Sequence, residues 1–251
     1  MQNCHDINYT LIGESMPAVE IELEPGEAVI AEAGMMNYFE EGVLFETKLG
    51  DGSTPNQGVM SKILGVAKRM ITNESIFMTH FTNQTRDVKR VAFSAPHPGH
   101  IKPIDLKTVG GGIYCQKDAF LCASLGTKIS VALTRKLGSG LFGNEGFILQ
   151  TIQGDGLAFI HAGGTIVERE LRDETYMVDT GCIVGFTKGI DYDVKATSSI
   201  KSMMFGGEGI FLTKLSGTGK IWMQTMPFNR LAGRISSVVT SDVLDHLKKN
   251  K

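Results

Sequence analysis

Three sets of residues in this 251-residue chain are of types that do chemistry. His97 and His100 are the only close pair among six histidines. A metal centre needs several ligands in defined geometry. No His-x-His or His-x-Asp strand motif with a later His accompanies the pair, so His97-Pro98-Gly99-His100 reads as a polar turn. Glu74, Glu145 and Glu208 are the second set. Paired carboxylates can do acid–base work, but these three recur at one place in a repeated block. That points to a structural role, each accepting backbone N–H groups at the entry to a strand. The cysteines Cys4, Cys115, Cys122 and Cys182 are the third set. No C-x-x-C spacing is present, which excludes a zinc ribbon and a thioredoxin motif. They read as buried or incidental thiols of a reducing compartment. In one uninterrupted strand Cys115 and Cys122 would face opposite sides. There is no Gly-x-Ser-x-Gly elbow and no phosphate loop ending in Gly-Lys-Ser/Thr. Gly110-Gly111-Gly112 and Gly206-Gly207-Glu208-Gly209 are turn sequences, because no helix pattern follows them. The expectation is a protein that is not an enzyme, with no cofactor and no metal.

The block around the glutamates is what positions them. Glu74–Asn83, Glu145–Gly154 and Glu208–Gly217 each read Glu, small residue, three apolar positions, polar-polar-apolar-polar, then Gly or Asn. The copies start 71 and 63 residues apart. A repeat of this kind decides architecture. Gly154-Asp155-Gly156 and Gly217-Thr218-Gly219 follow the second and third copies and read as hairpin turns. Ile101–Leu106 resembles Ile166–Leu171, which puts unit boundaries near Pro98 and Gly163.

Most of the chain alternates with period two, as in Val19-Glu20-Ile21-Glu22-Leu23-Glu24 before Pro25-Gly26. Further short strands are expected at 27–31, 43–49, 86–94, 101–106, 112–115, 119–124, 128–133, 145–152, 157–161, 165–171, 175–178, 182–186, 210–215 and 220–226. Many short strands with regular turns make an all-β protein. The expected architecture is three antiparallel β-sandwich-like units around a pseudo-threefold axis, with minor helices. The units are 1–98 with a helical insertion near 58–72, 99–162, and 163–251 with a C-terminal helix. Gly58–Thr72 carries apolar residues at helical spacing, and Ser241 reads as the N-cap of the C-terminal helix.

A net charge of −2 excludes a strongly basic protein, so general attraction to nucleic acid is not expected. Met1–Pro17 has no secretory pattern. The apolar stretches fall short of a membrane span. The protein is expected in the cytoplasm, at most peripheral to a membrane. One surface stands out. The segment before each repeated Glu mixes basic and apolar residues: Lys62, Lys68 and Arg69 in the first unit, Arg135, Lys136 and Phe142 in the second, Lys201, Met204 and Phe205 in the third. Rotation-related units would gather these nine residues at one end. Such a mixture suits an anionic membrane surface or a protein partner, and a subunit contact or a cover for the core is the other reading.

Lys68-Arg69-Met70, Asn73–Phe77, Glu145-Gly146-Phe147, Gly207–Phe211 and Trp222–Phe228 followed by Arg230-Leu231-Ala232 resemble a widespread family of uncharacterised bacterial proteins. Its eukaryotic relatives include the altered-inheritance-of-mitochondria proteins. The resemblance covers nearly the whole chain. It implies a fold like that of the tryptophan RNA-binding attenuation protein and a ring-like or trimeric homo-oligomer. It implies no catalytic residues. The mitochondrial relatives are associated with inner-membrane organisation. The reading that results is a non-enzymatic oligomeric scaffold or binding protein. Its rivals are an RNA-binding ring and a small-ligand binder with a pocket between repeats.

Overall fold

The computed structural model describes residues 4–49, 77–135, 147–196 and 211–249. They are mostly β. The strands are β1 (Asn8–Ile12), β2 (Ala18–Leu23), β3 (Ala28–Glu32), β4 (Met36–Phe39), β5 (Val43–Leu49), β6 (Phe77–Asn83), β7 (Lys89–Ser94), β8 (Gly99–Asp105) and β9 (Gly112–Gln116). They continue as β10 (Phe120–Ser124), β11 (Lys128–Arg135), β12 (Phe147–Gln153), β13 (Leu157–Gly163), β14 (Ile166–Asp179), β15 (Ile183–Thr187), β16 (Ile190–Ala196) and β17 (Phe211–Gln224). One helix follows, α1 (Phe228–Lys249).

These strands form three antiparallel sheets, ordered β1-β2-β7-β4, β5-β6-β3-β10-β13-β8 and β11-β12-β9-β15-β17-β14, with β16 also on β17. The three repeated blocks supply β6, β12 and the first half of β17. Each of these strands lies between two others. Thr79 faces Ala31 and Thr47, Gln150 faces Cys115 and Val131, and Thr213 faces Val178 and Val194. A second ladder also recurs in form. β4 on β7, β10 on β13 and β15 on β17 each slip register by one residue, after Met36, Phe120 and Ile183.

Alternation explains the burial. In β2 the apolar Val19, Ile21 and Leu23 are fully buried while the glutamates between them are half-exposed. β10 and β15 are buried at every residue because both faces are covered. The core falls into three apolar clusters. The central one joins Ile30 and Met78, Ile113, Phe120, Ile152 and Ile160, and Val184 and Trp222. A second packs Val19, Ile21, Leu23, Phe81, Phe93 and Phe159. The third packs Phe147, Leu149, Leu171, Phe186, Leu215 and Ile221.

Several expectations need correction. The strands expected at 165–171 and 175–178 are one, β14, and those at 210–215 and 220–226 are one, β17. Neither expected hairpin forms: residues 154–156 lead from β12 to β13 in a different sheet, while Gly217 and Gly219, at φ 123° and 152°, lie within β17. They serve close approach, since a Cβ on Gly217 would lie 2.5 Å from the Gly189 carbonyl oxygen. α1 starts thirteen residues before Ser241, at Phe228, and the Pro227 carbonyl accepts from the N–H groups of Arg230 and Leu231. Serines and β-branched residues at 236–240 have low helix propensity and masked the earlier start, although Leu231, Ile235 and Val238 keep helical spacing. Cys115 and Cys122 lie on separate strands with a 3-10 turn at Lys117–Ala119 between them. The expected helix 58–72 and the three repeated glutamates lie outside the described residues.

Candidate functional site

One polar constellation among the described residues centres on Glu168 of β14. Lys102 of β8 reaches its carboxylate at 2.8 Å, Lys220 of β17 at 3.1 Å, and the Trp222 indole N–H donates to it at 3.0 Å. Partial burial alone would push the Glu168 pKa up. The hydrogen bonds from Lys102, Trp222 and Lys220 overcome this and hold it at about 2. A shallow open groove of about 190 Å³ runs beside it, lined by His100, Ile101, Lys102, Pro103, Ile166 and Glu168. The donors facing the carboxylate are already engaged, so Glu168 is an anchor and not a proton donor at neutral pH. It ties β8, the edge of one sheet, to β14, the edge of another. Glu168→Gln is expected to cost about 1–2 kcal/mol after solvent screening, read as a lower urea midpoint. The wild-type advantage should be full above pH 4.5 and fade towards pH 2, because protonation of the unfolded chain's glutamate then competes with the folded ion pairs.

Histidines form a second cluster. The His97 ring meets the His161 ring edge-on at 4.3 Å and stacks on Phe228 at 5.1 Å. His161 is 3% exposed, and its Nε2 has no hydrogen-bond partner. Burial, then the charge of His97, lowers its pKa to about 4, so it is neutral at pH 7. His100 lies apart, with its Nδ1 2.6 Å from the Gly164 carbonyl oxygen. The pair His97/His100 therefore does not converge: each binds a different neighbour. No group of three metal-ligating side chains occurs among the described residues.

The cysteines are free thiols. Burial pushes the Cys115 and Cys122 thiols up, and burial followed by the charge of Asp179 does the same for Cys182. None of these three is an activated nucleophile.

Of the nine basic and apolar residues singled out in the sequence, Arg135 ends β11, where it is paired with Phe147. Lys62, Lys68, Arg69, Lys136, Phe142, Lys201, Met204 and Phe205 lie outside the described residues. Their segments connect β5 to β6, β11 to β12 and β16 to β17. The last described pairs flanking those connections are Leu49 with Phe77, Arg135 with Phe147 and Ala196 with Phe211. A phenylalanine re-enters the sheet each time.

Sequence reasoning missed the Glu168 anchor, the His97–His161–Phe228 stack and the apolar face of α1. Ile235, Val238 and Val239 of that face are each more than half exposed. Only the helix left a usable signal, its three- and four-residue apolar spacing. The other two join residues far apart in the chain. No described helix is long and apolar enough to cross a membrane.

Residues 9–226 match the family described as mitochondrial biogenesis AIM24. The chain belongs to the AIM24 family. An uncharacterised protein of Streptococcus pyogenes serotype M6 is 28% identical over 222 residues, covering 87% of this chain and 85% of the relative. The crystal structure of the Streptococcus pyogenes protein SPYM3_0169 superposes with a TM-score of 0.72 at 24% identity, covering 92% of this chain and 99% of that one. At that identity the likeness describes the shared fold. AIM24 membership agrees with the resemblance seen in the sequence.

Proposed function

We propose that this AIM24-family chain is one antiparallel β unit used three times about a pseudo-threefold axis, and that it is a non-enzymatic oligomeric scaffold. The units are 1–98, 99–162 and 163–251, with a helical insertion near 58–72 in the first. The ends of its hairpins dock on an anionic membrane surface from the cytoplasmic side, and a trimer is the assembly proposed. The observation that carries this reading is that three hairpins, each with a repeated block as its second strand, connect through the three basic-apolar segments. The recurring register slip after Met36, Phe120 and Ile183 supports the repeat. The central apolar cluster draws on strands from all three units, which supports a shared closed core over a ligand pocket. The exposed face of α1 adds apolar area.

Each Lys or Arg near an anionic bilayer contributes ~1 kcal/mol, so several on one face dominate over a net charge of −2. Liposome flotation tests this. Wild type should float with anionic vesicles and not with neutral ones. Lys62→Glu, Lys68→Glu, Arg135→Glu and Lys136→Glu combined should abolish flotation. Equal flotation of both proteins, or of neither, removes the membrane role. A gel shift with single-stranded RNA that these changes abolish would favour the RNA-binding ring instead.

A further inference from the structure

Among the open strand edges of the described residues, two are counterparts, one on β4 and one at the end of β14. β3 pairs with β10 through Ala31–Cys122 and Ile30–Ala123. β9 pairs with β15 through Cys115–Gly185 and Tyr114–Phe186. These two ladders join successive units. Resting on the threefold reading above, the ladders inside each unit align Ala31 with Cys115 and Val178, and Cys122 with Gly185 and Tyr38. The third junction would then be Val178–Tyr38, Met177–Phe39 and Tyr176–Glu40. Among the described residues neither half is made: there β4 pairs only with β7, and the end of β14 only with β17.

Burial marks the same gap. The corresponding strands β10 and β15 are buried at every residue, and β3 and β9 nearly so. β4 is exposed over Met36–Tyr38, and on β14 Met177 is 55% exposed. The two edges thus present the backbone groups and apolar side chains of an interface, such as Met36, Tyr38 and Met177. Exposed strand edges template pairing with another chain.

We propose that a second copy of this chain fills the gap, with Thr175–Asp179 of one copy pairing antiparallel with Met36–Glu40 of the next in the register Phe39 to Met177. The partner is another copy because each edge has the register of an existing junction, and the chain carries one of each. The contact is heterologous, so it generates a closed ring or a reciprocal pair when the rotation closes.

Directly opposed residues in antiparallel strands bring their Cα atoms to ~4.5–5.5 Å, within disulfide reach. Phe39→Cys and Met177→Cys proteins are made separately, mixed and oxidised, with wild type as control for the four native thiols. The expected result is a dimer-mass product only in the mixture. Should Phe39→Cys misfold, the adjoining rung, Glu40→Cys with Tyr176→Cys, gives the same readout. A monomer-mass intrachain disulfide in the Phe39→Cys/Met177→Cys double variant, without dimer in the mixture, overturns the inference by showing that the chain closes on itself. Absence of any cross-link at both rungs overturns it too and leaves the threefold unit standing. Cross-linking of Met36→Cys, but not Phe39→Cys, to Met177→Cys overturns the register and the threefold unit together.

Discussion

Trp222→Ala is expected to cost about 3–5 kcal/mol of stability, the range for truncating a large aromatic in a packed core. Trp222 is the only tryptophan in the chain and is 1% exposed. It packs in the central cluster with Ile30, Ile113, Phe120 and Ile160, so its loss opens a cavity where the strands of several ladders meet. The backbone there has little freedom to collapse, because Trp222 pairs with both Glu168 and Gly185 across β17. Truncation also removes one of the three donors on Glu168, leaving a partly buried carboxylate to Lys102 and Lys220. Trp222→Phe separates the two effects. It keeps most of the apolar volume and loses only the indole N–H, so about 1–2 kcal/mol is expected. Urea unfolding followed by circular dichroism checks both, since the variants lack the fluorescent ring. A cost under about 1 kcal/mol for Trp222→Ala, far below the range for a packed aromatic, would mean that the central cluster is not what holds the two larger sheets together.

The strands were legible in the sequence because their burial is one-sided or complete. Val19, Ile21 and Leu23 alternate with glutamates, and Phe120–Ser124 is an unbroken run of small and apolar residues bounded by turns. Ile190-Asp-Tyr-Asp-Val alternates just as clearly and forms β16, a strand absent from the sequence expectation. β1 and β4 were opaque for a physical reason: they are exposed edges, so nothing forces a pattern on them. Glycine misled at Gly217 and Gly219, where the sequence signal for a turn is also the signal for close backbone approach. The site was less legible than the fold. Trp222 meets Glu168 as its partner across the β14–β17 ladder, and Lys102 joins them only because β8 and β14 lie at neighbouring sheet edges, facts of topology that local spacing does not carry. The Glu-led blocks, by contrast, fall on β6, β12 and the first half of β17, each a strand with neighbours on both sides, where burial demands apolar side chains.

Acid should weaken the fold in a window set by His161. The ring is 3% exposed against His97, and burial with the charge of His97 holds its pKa at about 4, while in the unfolded chain it returns to the ordinary value of 6.5. Between those values the unfolded chain binds a proton that the folded chain refuses. Stability contributed by the neutral ring is therefore complete above pH 6.5, falls as pH drops towards 4, and levels off below. Every pH unit separating the folded and unfolded values corresponds to about 1.4 kcal/mol, so about 2–3 kcal/mol should disappear between about pH 7.5 and about pH 4.5. Glu168 contributes little to that slope, since its folded and unfolded values span the range from 2 to 4.5. His161→Phe keeps a ring against His97 and removes the titration. Its unfolding free energy should fall by about 2–3 kcal/mol less than wild type over the same pH interval, measured by urea titration at several pH values. If the two proteins lose stability in parallel, His161 titrates in the fold as it does in the unfolded chain and is protonated below about pH 6.5. The packing of Phe228 on His97 would then border a charge, and the start of α1 would be held by the ion pair of Arg230 with Asp179 instead.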